Sequence, residues 1–168
     1  PPTTRTGAVI NPTSSMAPVQ GQHDSVLCAW TGAWLNLEGN DIRILVTGGA
    51  GYIGSHCCKY LSQQGHDPIV LDNLSMGHEE AVRWGPLAPV DLRDRDAVFG
   101  TFAEHRPEAV VHFAACSFVG ESMQDPGKYF ANNTTGSQNL LDAMGAHDVR
   151  DIVFSSTCAT YGEPARMP

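Results

Sequence analysis

The chain has 168 residues, which is long enough for one domain with a packed core and too short for two large ones. Its hydrophobic fraction of 42% is ordinary for a globular protein. Its formal net charge of −8, with only 10 Lys and Arg residues, argues against nucleic acid or an anionic membrane as a partner, because both need clustered basic side chains. No apolar run is long enough to span a membrane, and Val26–Leu35 has only Arg5 ahead of it and no cleavage site after it, unlike a signal peptide.

Residues 1–40 combine prolines with Thr, Ser, Gly and Gln and show no hydrophobic period. We predict that they form a disordered or non-core leader.

From Asp41 onward, short aliphatic runs alternate with helical patterns. This alternation indicates βαβ units, so residues 41–168 are predicted to form an α/β domain with a Rossmann-type doubly wound parallel sheet. A helix should start at Asp125, because an aspartate N-cap followed by proline is typical of a first turn. In chain order the predicted elements are the strand Ile42–Val46, the helix Ser55–Gln64, the strands Pro68–Leu71 and Ala88–Val90, the helix Asp94–His105, the strand Ala109–Phe113, the helix from Asp125 to about Met144, and the strand Ile152–Phe154.

A glycine-rich turn joins the first strand to the first helix. Gly48, Gly51 and Gly54 have the spacing G-x-x-G-x-x-G. Glycine permits the tight turn, the close approach of a pyrophosphate and the packing of helix on strand, and the helix N-terminus attracts phosphate. A glycine motif alone is weak evidence, but a strand before it and a helix after it favour a dinucleotide site.

An acid at the end of the second strand, Asp72, supports this interpretation. A carboxylate there accepts hydrogen bonds from ribose hydroxyls and repels a 2′-phosphate, so NAD is favoured over NADP. The segment from Asn73 to His78 contains no arginine that would clamp a 2′-phosphate. The alternative is a solvated aspartate in a turn.

Further candidates follow the later strands. Asp91 could reach the adenine, or it could be a turn or helix-capping aspartate. Small residues in Phe113-Ala114-Ala115 suit a backbone that passes close to a cofactor. Asn132 is predicted to face the cofactor, whereas Asn133 could be exposed. His112 is interpreted as a core histidine with satisfied hydrogen bonds rather than a catalyst.

The cysteines are odd in number, and none has the spacing of a metal site or a disulfide framework. We therefore expect no bound metal, and reduced thiols in a cytoplasmic protein. They are Cys28, Cys57, Cys58, Cys116 and Cys158.

Five motifs together resemble those of the UDP-glucose 4-epimerase family. The members of this family are extended short-chain dehydrogenase/reductases of the NAD-dependent epimerase/dehydratase type. The resemblance covers roughly residues 42–168, and the last motifs are more specific than the glycines. The motifs are Thr47–His56, Leu71–Ser75, His112–Ala115, Val119–Ser122 and Ser155–Gly162.

The resemblance implies NAD as the cofactor, a UDP-sugar as the substrate and a homodimer for the full-length protein. Ser117 stands where many relatives have a lysine. The residues that the resemblance places against NAD are Tyr52, Ile53, Asp72, Asn73, Asp91, Leu92, Phe113, Ala114, Ala115, Ser117 and Asn132.

The implied reaction interconverts UDP-glucose and UDP-galactose through a 4-keto sugar. Thr157 falls at the position of a catalytic Ser or Thr that hydrogen-bonds the sugar 4-oxygen; otherwise it merely ends the fifth strand. The family also uses a tyrosine base with a lysine four residues later, but no Tyr-x-x-x-Lys occurs in these residues. The chain is thus interpreted as a truncated Rossmann domain, incomplete at its C-terminus, without the substrate domain.

Three alternatives remain open. The segment from Tyr161 to Pro164 also resembles UDP-pentose (xylose or arabinose) 4-epimerases. A nucleotide-sugar 4,6-dehydratase has the same glycine turn but would have acids directly after Thr157; Cys158 and Ala159 stand there and argue against it. The chain could also be a non-enzymatic NAD-binding module.

Overall fold

The computed structural model describes residues 41–156, which form one parallel sheet of five strands with helices on both faces. The sheet order is β3-β2-β1-β4-β5, and all strand pairs are parallel. The predicted doubly wound sheet is therefore confirmed. The strands are β1 Arg43–Thr47, β2 Asp67–Leu71, β3 Leu87–Ala88, β4 Ala109–His112 and β5 Asp151–Phe154.

The strand order reverses between β1 and β4, and this switch point determines where a ligand can bind. Thr47, the last residue of β1, pairs with Leu71 of β2 and with His112 of β4. The carboxyl ends of the three central strands therefore lie side by side. In doubly wound sheets the crevice outside such a switch point is the ligand site.

Two helices begin where the sequence predicts them, at aspartate N-caps. Asp94 caps α2, since its side chain accepts the N–H of Ala97 at 3.1 Å, and Asp125 caps α4 in the same way through Lys128 at 3.1 Å. The helices are α1 Tyr52–Gln63, α2 Arg95–His105, α3 Val119–Gln124, α4 Pro126–Tyr129 and α5 Gly136–Ala146, with a short 3₁₀ helix at Glu79–Ala81.

Several predicted bounds were wrong. The first helix begins at Tyr52 rather than Ser55, directly after the glycine turn, and the third strand is Leu87–Ala88 rather than Ala88–Val90. The long helix from Asp125 is not uniform, because a π-helical segment, Phe130–Thr135, joins α4 to α5 without a break in helical dihedrals. We call residues 126–146 the composite helix. Helix α3 was not predicted from the sequence.

Alternate side chains of the central strands enter two separate cores, as a doubly wound sheet requires. On one face Leu45 and Val110 pack with Phe102 of α2 and Leu140 of α5. On the other face Ile44, Val46 and Val111 pack with Cys57 and Leu61 of α1. Each such side chain, when fully buried, contributes about 1.5–3 kcal/mol to folding.

Between residues 41 and 156 no helix is both long and apolar enough to cross a membrane. The predicted leader, residues 1–40, and the predicted catalytic Thr157 lie outside the described residues.

Candidate functional site

Close packing of the backbone requires glycine at two positions of the turn between β1 and α1. Gly48 has a φ of +69° and donates its N–H to Leu71 O at 2.9 Å. A Cβ on Gly48 would lie 2.9 Å from Ala114 N. A Cβ on Gly54 would collide with Gly48 O and lie 2.7 Å from Gly49 Cα. Glycine here brings β1, α1 and the segment after β4 together.

Gly51 differs from these two glycines because little of the protein lies near it. A Cβ on Gly51 would approach only Gly48 O, at 3.2 Å. Gly51 is the N-cap of α1, no side chain caps this helix, and its first turn holds no acid. The first N–H groups and the positive end of the helix dipole are therefore available to an anion. The exposed Tyr52 and Ile53 follow directly, so this helix end is suited to a phosphate group.

Asp72 ties the glycine turn to the end of β2. It is 8% exposed, and its Oδ2 accepts the N–H of Ala50 at 3.0 Å while Oδ1 accepts that of Leu74 at 2.8 Å. Its burial distinguishes it from a solvated turn residue. A carboxylate has about four acceptor positions, so Asp72 can also accept hydroxyl donors while it holds the turn.

Three polar side chains connect the loops that follow β2 and β3. Asn73 Nδ2 donates to Asp91 Oδ2 at 3.0 Å, and Arg93 binds both oxygens of Asp91, through Nη2 at 2.6 Å and Nε at 2.9 Å. The hydrogen bond from Arg93 holds the pKa of Asp91 well below its usual range, with help from Asn73. Asp91 also accepts the N–H of Arg93, as a turn aspartate does. Arg93 was not predicted from the sequence, since no motif or spacing marks it.

The neighbouring Leu92 is buried against α5. Its carbonyl accepts a hydrogen bond from Asn139 Nδ2 at 2.8 Å, and a Cβ on Gly136 would lie 3.0 Å from Leu92 Cβ. Helix α5 therefore supports the loop that carries Asp91.

The segment after β4, residues 113–117, forms the other side of the crevice, and we call it the β4 loop. Phe113 donates its N–H to Thr47 O at 3.0 Å, and Ala114 donates its N–H to Thr47 Oγ1 at 3.3 Å. Ala115 and Ser117 are exposed at the same edge of the sheet. The start of the loop is thus held against the end of β1.

Asn133, rather than Asn132, fixes the far end of the β4 loop. Asn133 Oδ1 accepts the N–H of Cys116, and Asn133 Nδ2 donates to Cys116 O, both at 2.8 Å. Asn132 supports it, with its Nδ2 donating to Asn133 Oδ1 at 2.9 Å. The expectation that Asn133 could be exposed was wrong: it is half-buried, and its amide contacts the loop that the site requires.

The motif Val119–Ser122 begins α3, and the carboxylate of its Glu121 is bound by side chains of α4. The hydroxyl of Tyr129 lies 2.8 Å from both Phe118 O and Glu121 Oε2, and Lys128 pairs with the same carboxylate at 2.5 Å. Burial and the hydrogen bond to Glu121 raise the pKa of Tyr129. A raised pKa makes Tyr129 a poor proton acceptor at neutral pH.

The described cofactor candidates therefore lie along one edge of the sheet or on the helix packed against it. A parallel sheet with a glycine turn at its switch point and a buried acid after β2 defines a dinucleotide-binding α/β domain. No group of three His, Cys, Asp or Glu side chains that could hold a metal ion occurs between residues 41 and 156.

Comparison with known proteins agrees with this class. Residues 44–168 match the model of the NAD dependent epimerase/dehydratase family, and the chain belongs to this family. A UDP-glucose 4-epimerase of Rhizobium meliloti is 53% identical over 126 residues, which are 75% of this chain and 38% of the relative. A putative UDP-arabinose 4-epimerase of Arabidopsis thaliana is 46% identical over 136 residues, covering 75% of this chain and 33% of the relative.

A solved structure has the same fold. UDP-glucose 4-epimerase from Brucella ovis, crystallised in complex with NAD, superposes with a TM-score of 0.70 at 50% identity, over 76% of this chain and 39% of that one. The chain thus spans about two fifths of the length of the relatives that it matches.

Proposed function

We propose that this chain is the N-terminal, NAD-binding part of a UDP-glucose 4-epimerase, an isomerase that interconverts UDP-glucose and UDP-galactose. The observation that carries the proposal is the edge of the sheet where Gly51 and the uncapped start of α1 lie beside the buried Asp72. Membership of the epimerase/dehydratase family supports the same conclusion.

The residues along this edge of the sheet suit the successive parts of a dinucleotide. The N–H groups after Gly51 suit the pyrophosphate, and Asp72 with Asn73 suits the ribose of the adenosine half. Asp91 and Leu92 lie next to them, where an adenine would contact the loop after β3. We assign the remaining contacts to Tyr52, Ile53, Phe113, Ala114, Ala115, Ser117 and Asn132.

When bound, NAD supplies a hydride acceptor that can later return the hydride. The protein must orient the sugar and move the proton of its 4-hydroxyl. We assign the hydrogen bond to the 4-oxygen to Thr157, which lies outside the described residues. The base is not assigned to any residue here, because no tyrosine of the chain has a lysine four positions later.

A second candidate is a UDP-pentose 4-epimerase. The 46% identity to the Arabidopsis relative named as a putative UDP-arabinose 4-epimerase favours it. The third candidate, a non-enzymatic NAD-binding module, predicts cofactor binding without turnover even in a longer protein. The identity of the residues that contact the sugar would distinguish a UDP-glucose epimerase from a UDP-pentose epimerase. A Tyr-x-x-x-Lys in a longer reading frame would argue against the non-enzymatic module.

We further propose that the partners are a UDP-sugar and, in the full-length protein, a second copy of the chain. Exposed apolar side chains on α3 and the composite helix, Val119, Met123 and Phe130, support an interface there. We propose the cytoplasm as the location, because reduced thiols suit that compartment.

The test uses two proteins. The 168-residue chain is titrated with NAD and NADP by calorimetry, and a longer form translated from its own extended reading frame, rather than one completed with a relative's C-terminal half, is assayed with UDP-galactose and UDP-arabinose. We expect NAD binding by the first and faster turnover of UDP-galactose by the second. An extended protein that prefers UDP-arabinose would favour the second candidate, and a chain that binds no NAD would refute the proposal.

A further inference from the structure

His112, the last residue of β4, joins two polar side chains from different elements. It is 4% exposed, its Nδ1 lies 2.6 Å from Thr47 Oγ1 on β1, and its Nε2 lies 3.0 Å from Ser137 Oγ on α5. Both ring nitrogens therefore have partners, as the interpretation as a core histidine requires. The connection spans the switch point of the sheet, because β1 and β4 are the strands that flank it.

The hydrogen bonds around His112 determine its tautomer. Ser137 Oγ lies 2.7 Å from the carbonyl of Asn133 and has only one proton, which it donates there. Ser137 must then accept from His112, so Nε2 carries the ring proton and Nδ1 accepts from the Thr47 hydroxyl. Thr47 Oγ1 in turn accepts the N–H of Ala114.

Both branches of this network end on the β4 loop. One branch runs from His112 through Thr47 to the N–H of Ala114. The other runs through Ser137 to Asn133, whose amide holds the N–H and the carbonyl of Cys116. A single buried imidazole is thus connected to the second and fourth residues of a five-residue loop.

We propose that His112 is a positioning residue that holds the β4 loop in the shape required by the nicotinamide half of the cofactor. The inference rests on the proposed NAD site. A dinucleotide lies across a switch point with one nucleotide on each side. Asp72 and Asn73 serve the adenosine half beside β2, so the half beside β4 contacts the loop that His112 holds. His112 touches neither cofactor nor substrate and acts through Thr47 and Ser137.

This arrangement predicts that the two halves of the cofactor respond differently. The full chain carrying His112→Phe keeps a ring of similar size and loses both hydrogen bonds. We expect its affinity for NAD to fall about tenfold, while its affinity for AMP, which lacks the nicotinamide half, stays within about twofold of wild type. His112→Gln retains an amide that can donate to Ser137 and should recover part of the NAD affinity.

Two further variants separate positioning from stability. Ser137→Ala removes one hydroxyl from a half-buried position and should weaken NAD but not AMP, which keeps the proposal testable if His112→Phe does not fold. The control is Val111→Ala, on the same strand, because the side chain of Val111 packs in the core on the opposite face of the sheet. This variant should lower the melting temperature without changing the Kd for NAD or for AMP.

The outcomes are distinct. If wild type binds no NAD, both the proposed function and this inference are overturned. If wild type binds NAD and the His112 and Ser137 variants bind it equally well, or lose AMP affinity to the same degree, only the inference is overturned. A loss confined to NAD, absent in Val111→Ala, supports it.

Discussion

Among single residues, the glycines of the turn differ in what surrounds them, and this difference can be tested. Gly51→Val places a branched side chain where the protein leaves room and a pyrophosphate must approach, so we expect a folded protein that has lost NAD binding. Gly54→Val forces β1 and α1 apart, at a cost of about 1–3 kcal/mol in unfolding free energy. Calorimetric titration and thermal melting measure the two effects. Unchanged NAD affinity in a folded Gly51→Val protein would show that the cofactor binds elsewhere.

The charge of Asp72 should determine cofactor choice. We expect wild type to prefer NAD over NADP at least tenfold, or about 1.4 kcal/mol. Asp72→Asn keeps an acceptor for the buried N–H of Ala50 but removes the repulsion of a 2′-phosphate, so the preference should shrink. It should not reverse, because Arg93 remains paired with Asp91. Kd values for both cofactors check this, and equal NAD and NADP affinity in wild type contradicts it.

The burial of His112 makes stability depend on pH. Burial lowers its pKa from 6.5 to about 4, so between these values the folded chain binds fewer protons than the unfolded chain. His112 therefore leaves the free energy of unfolding unchanged above about pH 6.5. As the pH falls from there toward 4, the unfolded chain takes up a proton that the folded chain does not, and the free energy of unfolding decreases by up to about 3 kcal/mol. Urea unfolding of wild type and His112→Gln across this range isolates it. Identical pH dependence in both proteins contradicts the assignment.

Among the elements, the composite helix does most to shape the crevice, since it supports the loop with Asp91 through α5 and the β4 loop through Asn133. Its approach to Leu92 depends on Gly136, where an added Cβ would lie 3.0 Å from Leu92 Cβ. Gly145, on the same helix, has nothing within 4 Å of an added Cβ.

These two glycines form a matched pair for mutation. Gly145→Ala should raise the unfolding free energy by up to about 1 kcal/mol through helix propensity. Gly136→Ala should gain none of this, because α5 or the loop at Leu92 must move to admit the methyl group. Chemical denaturation measures both, and equal stabilisation would contradict the close packing of α5.

The sequence predicts the aspartate-capped starts of two helices better than it predicts the interiors of helices. Asp94 and Asp125 identify the starts of α2 and α4, because a side-chain cap is a local interaction that leaves a local signal. The π-helical segment leaves no such signal. It lies where Asn133 turns toward Cys116, 17 positions earlier in the chain, and that contact exists only after β4 and the composite helix have packed together.

For the whole molecule, the parts of the site that the sequence predicts are those made by neighbouring residues, and the parts that it does not predict depend on contacts between distant residues. The glycine turn and Asp72 are recognisable because a strand, a turn and a helix are consecutive and the acid ends the next strand. The network of Thr47, His112 and Ser137 depends on the register of β1 against β4, which brings together residues 65 positions apart. Single-sequence patterns do not encode that register.

The boldest prediction concerns what the 168-residue chain does by itself: it should bind NAD and not epimerise UDP-galactose at a useful rate. General acid–base catalysis contributes about 10²–10⁴-fold, and no tyrosine here has the lysine that would lower its pKa. The raised pKa of Tyr129 makes this residue still less suited to act as the general base. Thr157 can hydrogen-bond the sugar 4-oxygen, but its neutral hydroxyl is too weak a base to remove the proton of the sugar 4-hydroxyl.

The decisive comparison is between this chain and the form extended by a homologous C-terminal half. Extension should restore turnover, since it supplies the base and the contacts that orient the sugar. Thr157→Val in the extended form should then reduce kcat while NAD affinity stays unchanged, which separates a catalytic role from a structural one. Coupled-enzyme assays of UDP-glucose formation measure the rates. Turnover by the purified 168-residue chain, free of host epimerase, would refute the argument and reveal a base that neither the sequence nor the structure has identified.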